Sequence, residues 1–341
     1  IFKLVKILIT HPSGNRNFQY LAKSICFNKK HNIICTSLNI NTDNIYIKLL
    51  PKKFKNLLEA RNYSKFKSTV QSLQPIYELI RLFLSRTYLG RSFDLWKKFF
   101  SENNFYKKFD EKSSKLIDKL NIQAVYAYEG SALETFKVAK KKKIICFYEI
   151  PLNYWRQKKY ILNREYKNKK NIKYKKYFKY DDSSLFNKRI DKEIKLADCI
   201  IVSSLEIKKS LRYYPTKLKN INIINYPFNK PIKANKKKWF DGKRKLKVLY
   251  VGRLDPRKGL THILDSVSNL KKNKLLEKFE FSFIGDGKLS NLIKKKFSEV
   301  NLLNSLSNKQ VLERMHLSDV LLFPSLFEGY GLSAAEAMSQ G

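Results

Sequence analysis

The chain has 341 residues, enough for two domains of ordinary size with a core each, and 70 Lys+Arg against 29 Asp+Glu give it a formal net charge of +41. Such a charge attracts any polyanion, yet lysine, isoleucine, asparagine, phenylalanine and tyrosine abound throughout, strand-like runs included, and no RNP1 string, zinc-finger spacing or basic heptad array accompanies them. Specific nucleic-acid recognition is therefore set aside, and the four scattered cysteines, with no C-x-x-C spacing, point to a reducing compartment.

Leu4 to Thr10 reads as a strand, His11 to Asn17 as a turn, and Phe18 to Phe27 as a helix, the opening of a doubly wound sheet. His11 and Gly14 stand where a cleft would open, although a structural histidine and a plain tight turn fit equally. Ile33 to Ile40 follows as a strand. Leu49 to Lys119 is helical in composition, basic, and interleaved with Tyr and Phe.

Ile122 to Glu129 is expected as a strand, Ser131 to Ala139 as a helix with Ser131 as its N-cap candidate, and Lys143 to Ile150 as a strand stopped by Pro151. Glu129 and Glu149 lie at these strand ends. Tyr154 to Tyr180 mixes basic and aromatic residues densely, a pattern that suits an amphipathic helix on an anionic bilayer or simply continues the lysine bias. Arg189 to Ser204 runs helix into strand, and Asn220 to Phe228 closes a first domain spanning residues 1–229.

Residues 230–245, charged and without apolar periodicity, are the expected linker to a second domain at 246–341. There the pattern repeats four times as strand, loop and helix: strands at Leu246–Val251, Phe279–Ile284, Val300–Leu303 and Asp319–Phe323, with Ser307 as an N-cap. Alternation of this kind specifies a parallel sheet whose loops open on one edge. No apolar run approaches the ~18 residues of a spanning helix. The sequence starts at Ile1 and stops at Gly341, just after the last loop and helix, and is read as a fragment, slightly short at its start and substantially short at its end.

Two of these loops carry the chemistry. Gly252-Arg253-Leu254-Asp255-Pro256-Arg257-Lys258-Gly259 sets the cations Arg253 and Lys258 between a strand end and a helix start, where a diphosphate fits although no Walker loop is present. Phe323 to Gly341 reads F-P-S-x-x-E-G-x-G-L-x-x-x-E-A-M-x-x-G, with carboxylates at Glu328 and Glu336. Taken singly, Glu328 could be a solvated loop acid, and Ser333-Ala-Ala-Glu336 could be a capping box.

Together these two stretches resemble family 4 glycosyltransferases (group 1 glycosyl transferases). The run Glu193-x-x-x-Ala197-Asp198 resembles the same family. The resemblance implies the GT-B fold, an α/β architecture of two Rossmann-like doubly wound parallel-sheet domains facing across a cleft, the second incomplete here. It implies a retaining, metal-independent transfer of a sugar from a nucleotide-diphosphate sugar to a hydroxyl acceptor, in glycan or glycolipid biosynthesis. No cofactor and no metal are expected.

In that scheme Arg253, Lys258 and Glu328 are catalytic: the cations take up charge on the leaving diphosphate, and Glu328 orients the sugar. Gly252, Gly285, Gly287, Leu303, Gly329, Tyr330, Gly331 and Leu332 border the donor, and Glu336 holds the ribose. His11, Gly14, Glu129 and Glu149 are candidates on the acceptor side. The expected partners are the donor, an acceptor that is a glycan, a lipid-linked sugar or a small molecule, and an anionic membrane surface. The expected location is cytoplasmic, with attachment to the inner face of the membrane as an option. Two other readings stay open: a polyanion- or membrane-surface-binding protein using the +41 charge, and a GT-B enzyme of another reaction, such as a nucleotide-sugar epimerase or a phosphorylase.

Overall fold

A computed structural model describes residues 5–14, 16–26, 31–42, 44, 47, 49–50, 55, 58–59, 61–64, 66, 68–84, 101–168, 174–178, 184–228, 240–304 and 306–341. The chain divides into two compact units. The first holds a sheet of β1 (Ile7–His11), β2 (Ile33–Thr36), β3 (Thr69–Ser72), β4 (Ala124–Tyr128), β5 (Ile145–Ile150), β6 (Cys199–Val202) and β7 (Ile221–Ile223). Their spatial order is β3-β2-β1-β4-β5-β6-β7, and every pairing is parallel. Helices include α1 (Arg16–Cys26), α2 (Pro75–Leu84), α3 (Glu102–Ile117), α4 (Leu133–Lys141), α5 (Trp155–Lys167), α6 (Ser184–Leu196) and α7 (Leu205–Ser210).

Apolar runs become strands here because a parallel sheet is covered on both faces. Leu8, Ile9, Val125, Ala127, Cys146 and Tyr148 are all fully buried. α1 sets Phe18, Ala22 and Cys26, a helical stripe, against Ile9, Ile34 and Tyr126 of the sheet. Three of the four cysteines are buried and all four are free thiols; burial pushes the Cys35 thiol up to about 12, where it is inert.

The stretch expected to be helical from Leu49 to Lys119 contains a strand, β3. Its side chains, Thr-Val-Gln-Ser, are half-buried or exposed at the sheet edge, so it lacks the apolar run that marks its neighbours. Ser131 does not cap α4. The cap position is Ala132, and carboxylates from elsewhere in the chain take over the role.

Those carboxylates belong to Glu193 and Asp110. Glu193 accepts from the N–H groups of Gly130 (2.8 Å), Ala132 (3.0 Å) and Leu133 (3.1 Å), and from the Tyr148 hydroxyl (2.6 Å). Asp110 accepts from the N–H groups of Glu134 (2.7 Å) and Thr135 (2.9 Å). Arg189 bridges the two acids and also donates to the Gly130 carbonyl at 2.9 Å. Burial pushes both carboxyls up, Glu193 to about 7, and Arg189 works against the shift. The free N–H groups of the first helical turn and the buried charges thus satisfy one another.

The second unit holds the parallel sheet β10-β9-β8-β11, built from β8 (Leu246–Val251), β9 (Phe279–Ile284), β10 (Val300–Leu303) and β11 (Val320–Leu321). Around it lie α8 (Leu260–Lys272), α9 (Ser290–Lys296), α10 (Asn308–Leu317) and α11 (Leu332–Ser339). Ser307 caps α10 in a capping box with Gln310, as its position suggests.

Leu152–Asp181 and Glu206–Tyr213 also belong to the second unit, so the basic aromatic stretch does not group with the first 229 residues. The physical reason is apolar: Leu162, Tyr174 and Phe178 join Val248, Leu264, Phe281 and Phe283 in one core. Tyr174 donates to Asp265 at 3.0 Å, and Glu165 faces His262 at 3.3 Å. Residues 230–239 of the expected linker lie outside the described residues.

Candidate active site

Ligands in open parallel sheets sit beyond the carboxyl ends of strands, at the point where strand order reverses. In the second unit β9 and β10 follow β8 on one side and β11 lies on the other, so that point falls between β8 and β11. The two loops leaving it are Gly252–Gly259 and Leu322–Gly331, the same two that carry the charged motifs.

Close backbone approach locks these loops together. Gly259 has φ +69°, and a Cβ there would lie 1.8 Å from the Pro324 carbonyl oxygen. The Leu326 N–H donates to the Arg257 carbonyl at 2.9 Å. Asp255 starts a short 3-10 turn, accepting from the Lys258 N–H at 3.2 Å, and Pro256 presets its first residue. Lys258 is thereby aimed across at the second loop, where its ammonium pairs with Glu328. Glu328 also accepts from the Ser325 hydroxyl at 2.9 Å. Both side chains are mostly shielded, 15% and 20% exposed.

Arg253 is different. Its side chain is 71% exposed and reaches Asp255 at 3.2 Å, while its carbonyl accepts from the buried Tyr250 hydroxyl at 2.7 Å. Burial, with the Asp255 carboxylate nearby, raises the Tyr250 phenol, so this donor stays protonated. The backbone of Arg253 is therefore fixed and its guanidinium is left in water.

The third loop joins the same edge. The Gly252 N–H donates to Ile284, Leu254 to Asp286, and Gly285 to Leu303. A Cβ on Gly285 would lie 2.0 Å from the Gly252 carbonyl, so this position must be glycine for the loops to stack. Gly287 donates to Asp286 at 2.8 Å and to Ser290 at 2.9 Å, which tightens the turn.

α11 begins at Leu332 with Gly331 as a left-handed N-cap and no side-chain cap. The capping-box alternative for Ser333 and Glu336 is therefore not what forms. Glu336 receives Asn308 of α10 at 3.4 Å, a long contact. Tyr330 meets the Tyr226 ring edge-on at 6.1 Å.

In the first unit the candidates end adjacent strands: His11 ends β1, Glu129 follows β4, and Glu149 lies near the end of β5, with Gly14 in the turn after β1. His11 is 1% exposed, stacked on Phe18 at 4.3 Å and near Tyr128 at 4.2 Å, and its Nδ1 accepts from the Ser13 N–H. Burial lowers it to about 3, so it is neutral. Glu149 is buried and accepts from the Tyr126 hydroxyl at 3.0 Å; Glu129 is buried as well.

Sequence reasoning did not single out Ser325, Asn308, Tyr250 or the role of Asp255. Asp255-Pro256 carried a legible capping signal; the other three act through contacts with no local signature. Among the described residues, no group of three or more His, Cys, Asp or Glu is placed to hold a metal ion.

Two parallel sheets, each with helices between successive strands, match the GT-B architecture. Residues 231–341 match the family described as glycosyl transferases group 1. The chain is 30% identical over 177 residues to an uncharacterized glycosyltransferase of Methanocaldococcus jannaschii, across 50% of this chain and 42% of that protein. It is 32% identical over 96 residues to UDP-Gal:alpha-D-GlcNAc-diphosphoundecaprenol alpha-1,3-galactosyltransferase of Escherichia coli, across 27% of this chain and 25% of the relative. The match thus spans less than half the length of either curated relative.

Among solved structures, HepE of Anabaena, in complex with UDP and glucose, aligns at 14% identity with a TM-score of 0.57, covering 99% of this chain and 79% of that one. Sucrose-phosphate synthase of Thermosynechococcus elongatus aligns at 14% identity with a TM-score of 0.60, covering 99% and 80%.

Proposed function

We propose that this chain is a retaining, metal-independent glycosyltransferase of family 4 that moves a sugar from a nucleotide-diphosphate sugar to a hydroxyl acceptor in glycan or glycolipid biosynthesis. The observation that carries the reading is the convergence of Lys258 and Glu328 from two loops flanking the strand-order reversal, with Arg253 on the same loop as Lys258.

Breaking the anomeric C–O bond places negative charge on the departing diphosphate. Lys258 and Arg253 are the cations available to it, and fixed charges aimed at developing charge are the largest common source of rate enhancement. Arg253 is solvated and needs little rearrangement to meet phosphate oxygens. Lys258 already has a partner, so the diphosphate takes it over from Glu328. That exchange leaves Glu328 with lone pairs for sugar hydroxyls, held in place by Ser325. Glu336 receives the ribose, and the acceptor hydroxyl attacks on the face the diphosphate leaves.

The donor to try first is UDP-linked, because the Escherichia coli relative is named for a UDP-galactose reaction. Calorimetric titration with UDP-, GDP- and ADP-sugars, followed by NMR of the product anomer with and without EDTA, tests the proposal. Binding of one donor class, an anomer of unchanged configuration and indifference to chelator are expected. Inverted product, loss of turnover with EDTA, or no donor binding would each overturn the corresponding part.

A further inference from the structure

The Arg253 carbonyl receives two hydrogen bonds. The Asp255 N–H donates to it at 2.9 Å, closing a three-residue turn over Leu254, and the Tyr250 hydroxyl donates at 2.7 Å. Two donors use both lone pairs of a carbonyl, so this oxygen is fully engaged. Tyr250 is the penultimate residue of β8, buried, with its ring 5.5 Å from that of Phe283. A phenylalanine would fill the same place in the core. What the hydroxyl adds is one bond, made to the residue of the turn that carries a cation into solvent.

That turn aims both cations of the loop. Leu254 is fully buried and held on two sides: its N–H donates to the Asp286 carbonyl at 3.0 Å, and its carbonyl accepts from the Leu289 N–H at 2.9 Å. The Asp255 carboxylate accepts from the Lys258 N–H at 3.2 Å through one oxygen and meets the Arg253 Nε at 3.2 Å through the other. The loop after β9 therefore holds the middle of the turn, Asp255 holds the Lys258 end, and the Tyr250 hydroxyl braces the Arg253 end. A Cβ at Gly252 would lie 3.4 Å from that hydroxyl oxygen and 3.9 Å from the Lys258 Cε, so phenol and lysine stem approach the same point of the strand end.

From this we propose that Tyr250 is a positioning residue for the transfer reaction: its hydroxyl fixes the turn from which Arg253 meets the departing diphosphate. The inference deepens the glycosyltransferase reading and rests on it. The Arg253 side chain is 71% exposed, so its reach is set mainly by where its backbone is held. A cation stabilises developing charge best when it needs no rearrangement at the moment of reaction, and a displacement of about 1 Å costs on the order of 10²-fold in rate. The brace itself cannot swing away, because the donor is a buried ring and the acceptor is main chain. Tyr250 thus touches neither sugar nor phosphate and acts through Arg253.

The test is Tyr250→Phe, alone and combined with Arg253→Ala. The ring and its Phe283 contact remain, and the Arg253 carbonyl keeps the Asp255 N–H, so the single variant should fold with a thermal midpoint within about 4 °C of wild type. With whichever of the UDP-, GDP- and ADP-sugars binds, kcat should fall about tenfold and the donor KM should stay within about twofold. Inorganic pyrophosphate, titrated calorimetrically, should bind about fivefold more weakly. In the Arg253→Ala background the same substitution should cost nothing further in either measurement. A merely structural phenol gives a different pattern: equal losses in both backgrounds, or a lower midpoint with kcat and pyrophosphate affinity unchanged. Either result would overturn the proposal, as would a wild type that takes up no pyrophosphate. A wild type that binds pyrophosphate through Tyr250 and Arg253 as expected, yet transfers no sugar from any donor, would overturn the glycosyltransferase reading and leave the positioning of Arg253 intact.

Discussion

Both units place an acid and a base at the start of a helix beyond a parallel strand, and they use them oppositely. In the first, Glu193 and Asp110 are fully buried and saturated: main-chain N–H groups, a tyrosine hydroxyl and Arg189 occupy both carboxylates. In the second, Glu328 keeps partial exposure and is engaged by Lys258 and Ser325, both of which are side chains that can turn away. Saturation by fixed backbone makes a charge architectural; pairing with a movable side chain makes it exchangeable for a ligand. On the proposed function, the two units thus separate stability from activity among residues of identical type.

The largest expected effect lies in the saturated network. Glu193→Ala strands Arg189 and strips the first turn of α4, and breaking such a buried pair costs about 3–5 kcal/mol. Denaturant unfolding should show that loss, with α4 and the loop at Gly130 opening first in hydrogen exchange. A change below about 1 kcal/mol would mean that Asp110 and water replace Glu193, and the contrast between the units would weaken. Next comes the exchangeable pair. Lys258→Ala should lower kcat about 10²–10³-fold, the usual loss on removing one charge-stabilising donor, while leaving stability nearly unchanged. Loss of stability without loss of turnover would place Lys258 with the structural group.

This contrast was only half visible in the sequence. Lys258 and Glu328 are legible because glycine, proline and an apolar run mark each strand end, so the charged positions can be put on loops of one edge without knowing the sheet order. Glu193 was visible as part of an E-x-x-x-A-D run, but its partners include Gly130, Ala132 and Leu133, and nothing local announces a cap supplied from some 60 residues away. β3 escaped because an edge strand needs no apolar run. In α2 composition announces a helix but not that an acid, Glu78, is one of its buried positions, because the arginine that pairs with it from outside the helix, Arg61, lies 17 residues away. The basic aromatic stretch was placed with the wrong neighbours because periodicity reports that a face is buried, not against which sheet.

A third buried titratable group sharpens the distinction at smaller cost. His11 is lowered to about 3 by burial, against 6.5 when unperturbed. Between those values the unfolded chain binds the proton and the folded chain does not, so stability is full above pH 6.5 and falls on acidification, by up to about 1.4 kcal/mol per pH unit. His11→Gln, which keeps an acceptor for the Ser13 N–H, should remove one proton's worth of that slope. Unfolding free energies of the two proteins at pH 7, 6 and 5 give the comparison directly; parallel curves would mean that His11 titrates normally.

Glu336 is the intermediate case and carries the smallest effect. It is half-buried and receives the Asn308 amide at the long distance of 3.4 Å. If it receives the ribose, it binds donor and transition state alike, because the ribose is remote from the breaking bond. Uniform binding of that kind appears in KM and not in kcat. Glu336→Ala should therefore raise the donor KM about fivefold, roughly the 1 kcal/mol of a partly solvated hydrogen bond, with kcat within about twofold. Asn308→Ala separates the two roles of Glu336: it should leave KM unchanged if Asn308 is only a neighbour, and mimic Glu336→Ala if that contact is what aims the carboxylate. A fall in kcat equal to the fall in kcat/KM would move Glu336 into the group that acts on the departing charge, alongside Lys258.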